Sequence, residues 1–218
     1  IGYQLIQDAI SRDVTPMMVK PIWGLDCARK GGDRAALAKR QGNVLLEPVK
    51  WWQDLELMEL VGRVKAEWDD TPVQQRPQSI CIDAIGLGAG VSDRLIELGL
   101  PAMAINVSET PALGDGLVLN LKTELWDKAA SWFMERTCSL QGDKTTAAEL
   151  GWPRKEFTST GKRRVQDKDK VRKDHRGKSP DLADAFVMTF ADQAGSAIYG
   201  SSSNTNWKEP LQRNVTYV

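Results

Sequence analysis

The sequence predicts an α/β protein in which helices flank a mixed β-sheet. Three strand-like runs joined by tight turns favour an antiparallel meander, and two later runs separated by a helix favour a parallel crossover. Apolar residues three and four positions apart indicate the helices. The chain has 218 residues, 41% of them hydrophobic, so it can bury a substantial core and suits one domain better than two.

The predicted meander comes first. Its strands cover residues 19–27, 33–40 and 44–51. A Gly-Gly turn separates the first strand from the second, and the polar turn at 41–43 suits a hairpin between the second and the third. These three strands are therefore expected to be antiparallel neighbours.

The predicted crossover follows. Residues 54–68 have helical periodicity, with Asp54 as the expected cap. Residues 79–83 read as a buried strand, which leads through a glycine-rich turn into a helix ending at Gly99. Residues 101–107 are the next expected strand. A strand, a helix and a strand of these lengths predict a parallel pair with helices over the sheet.

Two more helices are expected in the second half of the chain. Asn120 suits the N-cap of a helix that continues through Arg136. Ser179 suits the N-cap of a helix with a proline at its first position and Asp181 in its first turn. We expect this last helix to extend to about Ala194.

The chain is expected to form a globular domain over 1–195 and a mobile tail over 196–218, where the composition becomes small and polar. Three widely spaced cysteines argue against a disulfide framework and favour a reducing compartment. No apolar run approaches the ~20 residues that span a bilayer, and no signal peptide is evident, so we expect no membrane partner. A sequence beginning at Ile1 rather than methionine is expected to be an excerpt.

Any affinity for nucleic acid is expected to be local, because lysine plus arginine equal aspartate plus glutamate at 29 each. The basic segment, residues 162–178, holds nine basic and three acidic residues. A solvated charged loop is the alternative interpretation. Its position directly before an aspartate motif favours contact with phosphate, and the candidate contacts are Lys170, Arg172 and Lys178.

Three aspartates lie where metal-binding carboxylates are expected. Asp26 and Asp83 end strand-like runs, and Asp181 opens a helix. Carboxylates suit hard cations such as Mg²⁺ and Mn²⁺, and two such ions ~3.5–4 Å apart commonly serve phosphodiester hydrolysis. The alternative is that each aspartate caps a separate turn or helix, although Asp83 inside an apolar run fits that poorly. The sequence therefore predicts a nuclease dependent on two divalent ions.

Two further acids are candidates for the same site. Asp33 follows the Gly-Gly turn, where a turn cap is an equally good interpretation. Asp184 lies three residues after Asp181 on the same helix face. It could be a metal ligand, a hydrogen-bond partner of a ligand, or an acid that pairs with the basic segment. His175 is the only histidine, which excludes a histidine-rich zinc site.

Five stretches together resemble one family. They are residues 24–33, 82–95, 120–126, 168–173 and 178–185. Their order resembles the C-terminal nuclease domain of tailed-bacteriophage large terminases over roughly residues 22–191. The resemblance implies a ribonuclease H-like fold that cuts concatemeric viral DNA at packaging in the host cytoplasm. It also implies double-stranded DNA, an N-terminal ATPase motor, a small terminase subunit and a portal as partners.

The resemblance assigns the first-strand acid to Asp26, the second to Asp83 and the helix acid to Asp181. It assigns the acid after the Gly-Gly turn to Asp33, and it leaves open whether Asp181 or Asp184 lies closer to metal. No Gly-x-x-x-x-Gly-Lys-Ser/Thr phosphate loop occurs in the sequence. We therefore expect the motor domain to lie outside this chain.

Two other interpretations stay open. An actin-like or hexokinase-like nucleotide-binding domain shares the core topology and would use the glycines after Asp83 as a phosphate loop, but it needs a duplicated domain. A non-catalytic docking module would use some of the eight tryptophans, such as the adjacent Trp51 and Trp52, as a partner surface. A docking role alone does not explain the three aspartates of the predicted metal site.

Overall fold

A six-stranded mixed sheet forms the centre of the computed structural model, which describes residues 1–28, 32–111 and 116–191. Its strands are β1 (Ile22–Asp26), β2 (Arg34–Gln41), β3 (Val44–Leu45), β4 (Lys50–Gln53), β5 (Ser79–Asp83) and β6 (Ala102–Ile105). The order is β3-β2-β1-β5-β6, and β4 also pairs with β2. Strand β2 is antiparallel to β1, β3 and β4, whereas β1, β5 and β6 are parallel. The predicted mixed sheet is confirmed.

The described residues form seven α-helices and a separate hairpin. The helices are α1 (Tyr3–Ser11), α2 (Leu57–Asp70), α3 (Gly88–Glu97), α4 (Leu121–Met134), α5 (Lys144–Leu150), α6 (Lys168–Asp174) and α7 (Asp181–Met188). A 3-10 turn lies at Val73–Gln75, and the hairpin pairs β7 (Lys155–Phe157) with β8 (Arg163–Val165). No helix in this part of the chain is long and apolar enough to cross a membrane.

Helices cover both faces of the sheet. Because successive side chains of a strand point to opposite faces, β2 sends Leu37 into a core with α2 and α3, and Ala36 into a core with α1, α4, α5 and α7. The central strands β1 and β5 are buried along nearly their whole length. Burial on both faces explains why the sequences of β1 and β5 are short apolar runs.

Helix α7 lies directly on β1, and Gly24 makes this possible. A Cβ atom at Gly24 would lie 2.2 Å from the backbone oxygen of Ala185 and 2.8 Å from the backbone nitrogen of Thr189. Any larger residue would therefore push the helix away. The close approach places the first turn of α7 over the ends of the central strands.

Two predicted boundaries in the first half of the chain are wrong. The single strand expected at 44–51 is two short strands, β3 and β4, and Pro48 lies between them, where it has no N–H to donate to a ladder. Asp54 does not cap α2, since its φ is 54° and the helix begins at Leu57. Glu56 is the N-cap and forms a capping box with Glu59.

The ends of the last helix also differ from the prediction. Pro180, not Ser179, occupies the N-cap position of α7 and supplies no side-chain cap. The helix ends at Met188 rather than near Ala194, and the Thr189 hydroxyl donates a hydrogen bond to the carbonyl of Phe186. The expected tail at 196–218 lies outside the described residues.

Asn120 caps α4 as predicted, because its side chain accepts a hydrogen bond from the backbone N–H of Thr123. The sequence did not indicate α1, α5 or the β7–β8 hairpin. The basic segment is not simply a loop, since it contains β8 and α6.

Candidate active site

Asp26 and Asp83 lie side by side at one edge of the sheet. They are the last residues of β1 and β5, which are parallel neighbours with Leu25 opposite Ile82. The adjacency on which the predicted site depended is therefore present. The carboxyl edge of such strands is where open α/β sheets commonly place ligands.

Helix α7 brings two further acids over this edge. Asp181 opens the helix and is 1% exposed, and Asp184 lies one turn later and is 9% exposed. The backbone N–H of Arg34, at the start of β2, donates a 3.0 Å hydrogen bond to Oδ2 of Asp181. Charged carboxylates are rarely buried this deeply without a partner.

The partner is the ammonium group of Lys168 from α6. Its Nζ atom lies 3.1 Å from Asp181 Oδ1, 3.2 Å from Asp26 Oδ2 and 3.6 Å from Asp184 Oδ2. A second lysine, Lys122, places its Nζ atom 3.2 Å from Asp184 Oδ1. Three carboxylates from two distant parts of the chain, β1 and α7, thus converge on one positive charge.

Asp83 is close to this cluster but does not touch Lys168. Its Oδ1 atom accepts a hydrogen bond from the backbone N–H of Ile85 at 3.1 Å. Burial raises the pKa of Asp83; the Ile85 N–H and Lys122 oppose that rise, whereas the charge of Asp184 adds to it. Asp83 therefore lies in the same electrostatic field as the three other acids.

Burial and the neighbouring charges shift the pKa values of the clustered groups. Burial raises the pKa of Asp26 to about 7, against the opposing charge of Lys168, and the carboxylates of Asp184 and Asp181 raise it further. Burial also acts to raise the pKa of Asp181, but Lys168 and the Arg34 N–H outweigh it and the pKa falls below its usual range. The carboxylates raise the pKa of Lys168 despite its burial.

The acids fit a hard divalent cation by donor type, since all their available ligand atoms are carboxylate oxygens. In the described part of the chain, however, no three His, Cys, Asp or Glu side chains are arranged to hold a metal ion. Asp26, Asp181 and Asp184 are instead oriented around the ammonium of Lys168. Lys168 occupies a position that suits a cation.

Asp33, the fifth candidate acid, pairs with a different cation. Its carboxylate pairs with the guanidinium of Arg172 on α6, one of the three predicted phosphate contacts. Lys170 pairs with Glu156 of the hairpin at 3.1 Å, and Lys178 is exposed. Two of the three predicted contacts are thus occupied by protein carboxylates, and their role toward phosphate stays a prediction.

Lys168 was not among the predicted site residues. A signal for it exists in α6, where Val171 is the one buried residue of an otherwise polar helix. Lys168 precedes Val171 by three positions, so both lie on the face that points inward. This spacing does not indicate which groups the Lys168 ammonium contacts.

No protein-family model and no curated protein matches this chain. Solved structures of large terminases share its fold. A mutant of the nuclease domain of the large terminase subunit of bacterial virus Sf6, solved with manganese and beta-thujaplicinol, has a TM-score of 0.69 at 17% identity, over 87% of this chain and 97% of that one. The large terminase nuclease of thermophilic phage G20c with magnesium has a TM-score of 0.59 at 14% identity, over 87% and 95%.

The HK97 bacteriophage large terminase matches with a TM-score of 0.59 at 13% identity, over 90% of this chain but 43% of that one. At these identities the likeness concerns the fold. The ribonuclease H-like fold implied by the resemblance is thereby confirmed, including the mixed sheet and flanking helices that the sequence pattern predicted.

Proposed function

We propose that this chain is the metal-dependent endonuclease domain of a viral DNA-packaging terminase. One observation carries the proposal: Asp26, Asp181 and Asp184 converge within 3.6 Å of a single ammonium, beside Asp83 on the neighbouring strand. Such a concentration of buried carboxylates favours a functional cation site over separate structural caps. Structures of the same fold were solved with manganese, calcium, magnesium and cobalt, which supports the choice of a divalent ion.

Asp26, Asp83 and Asp181 are the proposed ligands for two Mg²⁺ or Mn²⁺ ions, and Asp184 is a further candidate. When bound, such ions provide hydroxide near neutral pH and neutralise charge on the leaving 3′ oxygen. We place Asp181 closer to metal than Asp184, because it lies nearer to Lys168 and the Arg34 N–H fixes its orientation.

The strand ends supply the rigidity that this chemistry needs. Asp26 and Asp83 are held by a continuous parallel ladder, so their separation changes little when a ligand binds. Lys168 comes from a short helix and is 31% exposed, so its ammonium has room to withdraw toward solvent. An entering cation would take over the carboxylates that Lys168 now neutralises.

The proposed substrate is concatemeric double-stranded DNA in the host cytoplasm. An ATPase motor domain is a proposed partner, because the chain spans under half of the HK97 large terminase. The small terminase subunit and the portal are proposed partners on the basis of the resemblance alone. The zero net charge implies that the motor or other partners contribute much of the DNA affinity.

A nucleotide-binding domain fits the structure less well. A Cβ atom at Gly88 would lie 1.7 Å from the carbonyl oxygen of Asp83, and Gly86 has a φ of +74°. Both glycines are therefore required by the tight turn from β5 into α3, without any bound phosphate. The purified chain is expected to cut DNA and not to bind ATP.

Substitution of Asp83 by asparagine tests the proposed function. Removal of a metal-binding carboxylate should reduce plasmid cleavage in Mn²⁺ by at least about 100-fold, since even partners of metal ligands are worth 10–100-fold. Asp69→Asn is the control, because Asp69 is an exposed acid paired with Lys65 on α2. Undiminished cutting by folded Asp83→Asn would remove Asp83 from the site, and a wild type that never cuts would favour the docking module.

A further inference from the structure

Glu149 of α5 is a buried carboxylate with a full set of partners at the start of α7. Its side chain is 3% exposed. Its Oε1 atom lies 2.6 Å from Nη2 of Arg34, and its Oε2 atom accepts hydrogen bonds from the backbone N–H groups of Leu182 at 2.8 Å and Ala183 at 3.3 Å. These N–H groups belong to the helix that carries two of the clustered acids.

Helix α7 needs this partner because its own N-cap supplies none. The first N–H groups of a helix have no acceptor within the helix, and Pro180 at the N-cap position has no side-chain acceptor. Glu149 provides the missing acceptor from a different helix. Its negative charge also suits the positive end of the helix dipole.

Arg34 links the same carboxylate to β2 and to Asp181. Its Nη2 atom donates to Glu149 and also to the carbonyl of Ser179 at 3.1 Å, and its Nε atom lies 3.5 Å from Asp181 Oδ2. Its backbone N–H donates to the same Asp181 oxygen. Arg34 and Glu149 therefore fix both the backbone before α7 and the carboxylate that opens it.

Helix α5 is itself held against the sheet, so Glu149 has a rigid base. Asp143 caps α5 through the backbone N–H groups of Thr145 and Thr146, and its Oδ2 atom accepts the backbone N–H of Val49 at 2.9 Å. Val49 directly precedes β4. Hydrogen bonds thus connect the segment before β4 to α5, and α5 to the start of α7.

We propose that Glu149 is a positioning residue for the metal site. It fixes the start of helix α7, and with it the backbone from which Asp181 and Asp184 extend toward Asp26 and Asp83. The inference rests on the proposed function, and it concerns the affinity for metal rather than the chemistry. Residues that orient metal ligands in this way are typically worth 10–100-fold in metal affinity.

The experiment measures Mn²⁺ binding to the purified chain by electron paramagnetic resonance, together with melting curves. Glu149→Ala should raise the Kd for Mn²⁺ at least about tenfold. Glu149→Gln keeps one oxygen for the Leu182 N–H but loses the charge toward Arg34, so its Kd should lie between those of the wild type and Glu149→Ala. Glu67→Gln, which removes a part-buried carboxylate paired with Lys39 and Lys50 at 2.6 Å, should leave the Kd unchanged.

The outcomes separate positioning from charge and from stability. Equal Kd values for Glu149→Ala and Glu149→Gln would overturn positioning, because loss of charge alone would then explain the effect. A wild-type Kd in folded Glu149→Ala would also overturn it. If Glu149→Ala fails to fold, a wild-type Kd in Glu149→Gln would overturn the part of the positioning that depends on Arg34. A wild type that binds no Mn²⁺ would instead refute the proposed function.

Discussion

Replacing Lys168 by alanine tests whether its ammonium stands where a metal ion binds. The Nζ atom lies 3.1–3.6 Å from Asp181, Asp26 and Asp184, and the side chain is 31% exposed. Without the ammonium, three carboxylates face one another with little solvent between them. Their repulsion should destabilise the metal-free protein.

The size of the effect follows from the exposure of the group. Removing one partner of a fully buried ion pair costs about 3–5 kcal/mol, and an exposed pair is worth less than about 1 kcal/mol. A side chain about one-third exposed lies between these limits, so we expect a loss of about 1–3 kcal/mol. For a chain of this length that lowers Tm by roughly 2–12 °C.

Mn²⁺ should reverse the loss. In the wild type an entering ion must displace the ammonium, whereas in Lys168→Ala the carboxylates are already free, so saturating Mn²⁺ should raise the Tm of the variant by more than that of the wild type. The assay is thermal melting followed by circular dichroism, in chelator and across a Mn²⁺ titration.

Lys65→Ala is the matched control. Lys65 is 33% exposed and pairs with the single acid Asp69 on α2, so its loss should change the free energy of unfolding by less than about 0.5 kcal/mol in either condition. If metal-free Lys168→Ala melted at the wild-type temperature, or gained less from Mn²⁺ than the wild type, the ammonium would not be at the metal position.

Three further outcomes are expected. Asp26 has a pKa of about 7 when folded and an ordinary pKa near 3.8 when unfolded, so the folded state binds the extra proton between these values. Metal-free stability should therefore fall as pH rises from about 4 to 7, relative to Asp26→Asn; urea titrations showing parallel pH profiles would contradict this. Gly24→Ala should destabilise by about 1–3 kcal/mol and impair cutting, because its Cβ would collide with the backbone of α7, whereas Gly62→Ala, with open space around it, should stabilise by about 0.5–1 kcal/mol in the same melts. DNA binding by the isolated chain should be weak and fall steeply with salt in anisotropy titrations, and nanomolar affinity at physiological salt would be inconsistent with the zero net charge.

The acids were predictable because their sequence settings are local. An aspartate at the end of an apolar run must lie at a strand end, and the crossover implied by the next helix and strand indicated a parallel sheet. The proline before Asp181 likewise marked a helix start. The exact boundaries were less predictable: Pro48 divides one expected strand into β3 and β4, and Glu56 replaces Asp54 as a cap.

The residues that orient the acids were missed because their partners are distant in sequence. Lys168 meets Asp26 across 142 residues, and the backbone N–H of Arg34 meets Asp181 across 147. Helical spacing indicates that a lysine points inward, but it carries no information about the group opposite. A lysine in a basic segment is usually solvated, and apart from this spacing nothing in the sequence distinguishes Lys168 from such a lysine.

This division has a physical consequence for the site. The backbone ladder sets where Asp26 and Asp83 lie, whereas long-range contacts of Arg34, Glu149 and Lys168 set how Asp181 and Asp184 are oriented. Substitutions of these three partners should alter the affinity for metal while the sheet stays intact, because their contacts lie at the start of α7 and at the strand ends rather than within the strand ladder. Substitution of Gly24 should instead change both the stability of the protein and its affinity for metal, because it moves α7 as a whole.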